Sequence, residues 1–197
     1  MVKRTFLLLT FAQNHQGYMK QNRINILIAA VLVLFAALLK VATYPHTFSP
    51  IIAIALFSGV VISDKKLSFA MPLLAMFASD LILELFTQTP GFYGMEQVGN
   101  YAALLFITAF GFAMKKIDVI RVAGFSLASS ILFYFLSNTN TFLVDSFNMY
   151  PNTFTGYINC MTAGIPFIKF VPDLVFSALL FGSYVLVFKT NRRRVAA

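Results

Sequence analysis

Two carboxylates, Asp80 and Glu84, stand four residues apart in the apolar run LSFAMPLLAMFASDLILELF. On a helix this spacing puts both on one face. A charge at the centre of a bilayer costs at least ~2.5 kcal/mol, so such residues face protein or water and have a partner. Lys40, near the end of the preceding long apolar run, is the partner expected. Asp173 opens the last apolar run, where a helix N-terminus favours negative charge. Together with His46, Asn159 and Lys169 these residues gather toward one side of a membrane. We take Lys40, His46, Asp80, Glu84, Asn159 and Asp173 as candidate substrate-binding residues. Lys40 and Lys169 against Asp80, Glu84 and Asp173 leave a near balance of charge, which favours a neutral, zwitterionic or cationic ligand.

Each of these residues also has a plainer explanation. A Lys40 bridge to Asp80 or Glu84 would fix helix packing and nothing more. His46 sits in a turn between Pro45 and Pro50, where a solvated histidine is ordinary, and one histidine makes no metal site. Cys160, the single cysteine, excludes an internal disulfide and a four-cysteine metal site; it reads as a small buried apolar residue. Asn100, Asn138 and Asn140 could bond a ligand or cap helices. Alanines such as Ala29, Ala36, Ala53 and Ala75 allow close helix approach, within the bundle or against a partner.

Enzyme chemistry finds little support. There is no HExxH, no GxxxxGK[ST] and no GxGxxG. Asp80 and Glu84 could act as acid and base, but no nucleophile or metal constellation accompanies them. We expect no catalytic activity and no cofactor. Energised work would draw on another subunit or an ion gradient.

The elements that must position these residues follow from composition. Of 197 residues, 59% are hydrophobic and 11% charged, whereas a soluble domain carries about 25% charged residues. Some 116 apolar residues allow roughly six spans of ~20 residues. The expected class is an all-α membrane bundle with spans at 24–43, 50–63, 67–86, 98–114, 119–137 and 172–188. Pro50 suits a first helical position. Residues 154–170 are apolar but interrupted by Pro166, and read as an interfacial or re-entrant segment on the outer face. Residues 1–23 form an N-terminal segment, of which 1–18 read as a dispensable extension. Residues 24–188 form one membrane domain and 189–197 a basic tail.

The net charge of +8 is a matter of topology, not of nucleic-acid binding. With six spans, thirteen of the fifteen Lys and Arg fall on one side, and Lys40 and Lys169 on the other. By the positive-inside rule both termini are cytoplasmic, in the cytoplasmic membrane. The clusters at 65–66, 115–116 and 192–194 also suit anionic lipid.

The stretches HTFSPIIAIALFSGVVISDKKLSFAMPLLAMFASDLILELF and YPNTFTGYINCMTAGIPFIKFVPDLVFSALLFGSY resemble two signature blocks of a family of uncharacterised bacterial membrane proteins with an inferred transport role. That family is similar to the substrate-binding S components of energy-coupling factor (ECF) transporters. The resemblance covers about residues 20–188. It implies a six-helix protein that binds a vitamin-like molecule or metal ion from outside, with a scaffold and two ATPases as the energising partner. Ala29, Ala30, Ala36 and Ala37 depart from the alanine-x-x-x-alanine surface that many S components offer a scaffold, so another membrane subunit, or none, is the alternative partner. A small structural or assembly subunit of a larger complex is the competing class.

Overall fold

The computed structural model describes residues 49–88, 90–145 and 148–195, together with eight helical residues spaced along 26–39; of the last helix, side chains are described as far as Val187. All regular structure among the described residues is helical. Beyond the residues spaced along 26–39, the described residues form six α-helices: α1 (Ile51–Val61), α2 (Lys65–Phe86), α3 (Met95–Gly111), α4 (Val119–Val144), α5 (Phe154–Gly164) and α6 (Phe170–Val195), with a 3-10 turn at Ile165–Phe167 between the last two.

Local signals explain the boundaries. The Asp64 carboxylate accepts from Leu67 N at 2.9 Å, and that of Asp118 from Arg121 N at 3.0 Å, capping α2 and α4. Gly94 takes φ 78° immediately before α3, a conformation glycine adopts without strain. Thr153 caps α5 by accepting from Gly156 N at 3.2 Å. Helix α5 ends at Gly164, and Pro166 sits in the 3-10 turn that follows, as the proline requires.

Helix α1 is the centre of the bundle and packs against α2, α3, α4 and α6. No side chain from Ile51 to Phe57 is more than 7% exposed, because the helix is apolar all round and has no polar face to turn outward. Phe57 meets Phe181 and Tyr184 edge-on, with ring centroids 5.2 and 5.8 Å away. The short apolar run at 50–63 is thus a core element. At 1.5 Å per residue its 11 residues reach ~16 Å, about half the hydrocarbon thickness.

Among the described residues, three helices are long and apolar enough to cross a membrane: α2, α4 and α6. Their outward faces carry Leu74, Phe77, Leu85, Phe135, Leu179 and Leu186, each 48% exposed or more. Water would not tolerate so continuous an apolar surface on a monomer, and lipid does. The protein is a multi-pass integral membrane protein.

The short connections at 62–64, 87–94 and 112–118 join neighbouring helices, so the described chain has two ends. One carries Lys65, Lys66, Lys115, Lys116 and Arg121; there the Lys65 ammonium lies 3.1 Å from the centroid of the Phe112 ring. The opposite end holds the C-terminus of α2, the N-terminus of α3, the C-terminus of α4, α5 and the N-terminus of α6. Two expectations change here. Helix α4 continues to Val144 instead of stopping at Ser137. Asn138 and Asn140 are therefore inside a helix and do not cap one: Asn138 Nδ2 donates to Tyr134 O at 2.8 Å, and Asn140 Nδ2 reaches Glu96 O on α3 at 2.8 Å. Expectations on 1–23, most of 24–43 and the tail beyond Val195 lie outside the described residues.

Candidate functional site

Two polar groups form at the end opposite the basic loops, and they are separate. Asp80, on α2, is 3% exposed. Its Oδ2 accepts from Gln97 Nε2 at 2.8 Å and from Tyr101 Oη at 3.0 Å, both on α3. Gln97 also donates to Gly91 O at 3.1 Å and accepts from Tyr93 N at 3.2 Å. Glu84, one turn beyond Asp80 and exposed, accepts from Gly91 N at 2.7 Å. The two carboxylates thus hold the connection at 87–94 against the α2–α3 pair. Gly91 fits there because a Cβ would meet the Asp80 carbonyl oxygen. Burial pushes the Tyr93 phenol above its ordinary value, against a smaller opposing effect of its bond from Asn100.

The second group lies where α4, α5, the 3-10 turn and α6 meet. Asp173 is fully buried. Its Oδ2 is 2.6 Å from Ser130 Oγ, which is also 3.1 Å from the Ser126 carbonyl. Ser177 Oγ lies 3.0 Å from Ser126 Oγ. Among the described residues, Asp173 Oδ1 has no hydrogen-bond partner, and neither does the buried hydroxyl of Ser129. Ser130 forms part of the wall of a cavity of about 270 Å³, whose other polar walls are Tyr134, Ser137, Asn138 and Lys169. Phe133, Phe167, Ile52 and Ile168 supply apolar walls.

The cavity is held open by a set of cross-links. Tyr134 Oη donates to Met161 O on α5 at 2.5 Å, and Cys160 Sγ to Asn138 O on α4 at 3.4 Å. Gly164 lets the Asn138 side chain approach where any Cβ would collide with it. Cys160 is buried, and burial, with a smaller contribution from Asp145, raises its thiol; this is an inert, structural cysteine.

A larger cavity, about 440 Å³, lies between α4 and α6 toward the basic end. Val119, Val122, Leu174 and Phe181 dominate its walls, which offer little to orient a polar ligand. Among the described residues no group of three or more His, Cys, Asp or Glu is placed to hold a metal ion.

The structure brings together fewer of the expected site residues than their shared level implied. Asp80 and Glu84 share one cluster and Asp173 belongs to the other: α2 packs on α1 and α3, whereas α6 packs on α1 and α4. Asn159 is exposed on α5 and does not line the cavity. Lys40 and His46 lie outside the described residues. Lys169 lines the cavity. Gln97, Tyr101, Ser130, Tyr134 and Ser137 were not anticipated. The one signal available was the spacing of Ser126, Ser129 and Ser130, which places three hydroxyls on one helical face of an apolar run.

No curated protein and no solved structure matches the chain. Residues 20–196 match DUF6580, a family of unknown function, and the chain belongs to that family.

Proposed function

We propose that the protein is a substrate-binding membrane subunit for uptake of a small molecule, similar in kind to the S component of an ECF transporter and without an ATPase of its own. The observation that carries this reading is the 270 Å³ cavity, walled by Ser130, Tyr134, Ser137, Asn138 and Lys169 and backed by buried Asp173. A compact cavity with apolar walls and a few convergent polar groups is the usual form of a small-molecule site. It lies at the end away from the basic loops, which the positive-inside rule makes the outer end. The protein would then sit in the bacterial cytoplasmic membrane with both termini inside, capturing its substrate from outside. A membrane scaffold or another subunit would provide the energy.

Native mass spectrometry of the purified full chain tests this. A small molecule retained by the wild type and lost on Ser130→Leu, which fills the cavity wall, is the expected result. A second protein retained in place of a small molecule would favour the structural-subunit reading, to which the internal use of Asp80 lends some support. The orientation has its own test. In a Cys160→Ala background, Arg193→Cys should stay unlabelled by an impermeant maleimide applied to intact cells, and Asn152→Cys should react. The reverse pattern would invert the topology.

A further inference from the structure

The larger cavity, between α4 and α6, is a groove built from small and apolar residues. On α6, Leu174, Ala178, Gly182 and Val185 follow at intervals of four, four and three residues, which puts them on one face of the helix. On α4, Val119, Val122 and Ala123 do the same. Phe181 closes the groove from behind; it is 2% exposed and meets the Phe57 ring of α1 edge-on. A Cβ on Gly182 would find no atom within 4 Å. The small residues at 123, 178 and 182 thus leave about 440 Å³ between two membrane-crossing helices. None of these wall residues is shared with the 270 Å³ cavity.

The length of the groove says what fits it. From Leu174 to Val185 the α6 wall climbs eleven residues, ~16 Å at 1.5 Å per residue. That is about half of the ~30 Å hydrocarbon core, the depth of one leaflet. A neighbouring membrane helix would call for a contact face through the whole thickness, whereas one acyl chain needs a slot one leaflet deep. The mouth of the groove lies at the basic end. Ile117, in its wall, directly follows Lys115 and Lys116, and both lysines are exposed. The carboxylates at this end are already engaged. Asp64 caps α2, and Asp118, the one acid in the groove wall, caps α4 and lies 3.3 Å from Arg121 Nε. Lys65 faces the Phe112 ring. Among the described residues neither Lys115 nor Lys116 has an ion-pair partner. The last turns of α6 bring Lys189, Arg192, Arg193 and Arg194 to the same end.

We propose that the groove binds one anionic phospholipid of the cytoplasmic leaflet, with one acyl chain along α6 between Leu174 and Val185 and the phosphate against Lys115 and Lys116. The apolar walls accept a chain whatever its head, so charge at the mouth selects the lipid: a net negative headgroup such as phosphatidylglycerol over a zwitterionic one. Basic pockets between membrane helices on the cytoplasmic side hold such headgroups. The general attraction of the basic clusters for anionic lipid is narrowed here to one site with a seat for the chain. The site is independent of the small-molecule reading and stands without it. A ligand that binds the folded state stabilises it, so thermal stability should rise with the fraction of phosphatidylglycerol in the bilayer.

The full chain is reconstituted in nanodiscs of equal parts phosphatidylglycerol and phosphatidylcholine with identical chains, and the lipid retained on release is read by native mass spectrometry. The wild type should retain one phosphatidylglycerol per chain in preference to phosphatidylcholine. The double variant Lys115→Gln/Lys116→Gln should lower that preference by at least about tenfold, since each basic residue near the surface contributes to the attraction. Gly182→Leu, whose side chain enters the open groove, should lose both lipids. A phosphatidylglycerol with a photoreactive acyl chain tests the seat on the wild type, and should label residues 117–123 and 174–185. Equal retention of the two lipids, which marks annular lipid only, overturns the proposal, as does an unchanged preference in the double variant. Wild-type lipid retention in Gly182→Leu, or photolabelling confined to other helices, overturns the acyl seat. A protein subunit that cross-links to 174–185 and is displaced by Gly182→Leu would make the groove a subunit interface in its place.

Discussion

Asp80→Ala is expected to lower the unfolding free energy by about 3 kcal/mol, with no loss of cavity binding at temperatures where the variant stays folded. The size follows from what is left behind. Gln97 Nε2 and Tyr101 Oη both converge on Asp80 Oδ2; a buried donor stranded without an acceptor costs about 1–3 kcal/mol, and Tyr101, half-buried, contributes at the low end of that range. Gln97 retains its bond to Gly91 O, which keeps the total below the sum of two full penalties. Asp80→Asn keeps a carbonyl oxygen where both donors point, so its loss should be the smaller, about 1 kcal/mol. Denaturant unfolding in mixed micelles, with ligand retention measured on the same samples, checks both variants. The pairing with Lys40 expected from the sequence is tested by adding Lys40→Met: a coupling energy with Asp80→Asn would show that the two side chains meet. Should Asp80→Ala unfold like the wild type and lose its ligand, Asp80 would be a binding residue and the reading of it as a fastener of the 87–94 connection would be wrong.

The spans were legible where hydrophobicity alone sets an element. The run at 67–86 is α2 to within two residues at its start, and the runs opening at Val119 and Pro172 are α4 and α6. The break at Pro166 was legible because proline acts on its own backbone, whatever surrounds it. The continuation of α4 was not. Asn138, Thr139 and Asn140 look like the polar end of a span, but each has a partner that makes its polarity harmless inside a helix. Asn138 bonds back to Tyr134 O, Thr139 Oγ1 lies 3.2 Å from Tyr157 Oη, and Asn140 reaches Glu96 O. The partners of Thr139 and Asn140 come from α5 and α3 and leave no mark on the periodicity of α4. The same reasoning explains the site. Depth along a span could be read for Asp80 and Asp173, since 1.5 Å per residue is a local property. Azimuth around the bundle could not, and azimuth separates a carboxylate facing Gln97 from one backing a cavity.

The position most sensitive to a small change should be Gly59, on the buried face between α1 and α3. A Cβ at Gly59 would run into the carbonyl oxygen of Thr108 and come within 3.3 Å of Gly111 Cα; a Cβ at Gly111 would in turn stand 2.9 Å from the carbonyl oxygen of Leu56. The two glycines let the helix backbones touch, as small residues do between membrane helices. Neither obstacle is the end of a flexible side chain, so the helices themselves must separate, and α1 is held on its other sides by α2, α4 and α6. Gly59→Ala should therefore cost about 3 kcal/mol, the upper part of the range for overpacking. Gly59→Leu should prevent accumulation of folded protein. The helix-propensity gain of alanine over glycine acts in the opposite direction and is only about 1 kcal/mol. That opposition supplies the control. Gly124 on α4 and Gly182 on α6 have open space where a Cβ would stand, so Gly124→Ala and Gly182→Ala should be neutral or stabilise by about 0.5–1 kcal/mol. Thermal unfolding of the three alanine variants in one lipid mixture should split them by sign. If Gly59→Ala instead groups with Gly124→Ala, the α1–α3 contact is looser than described, and with it the placement of α1 as the core around which the cavity helices are arranged.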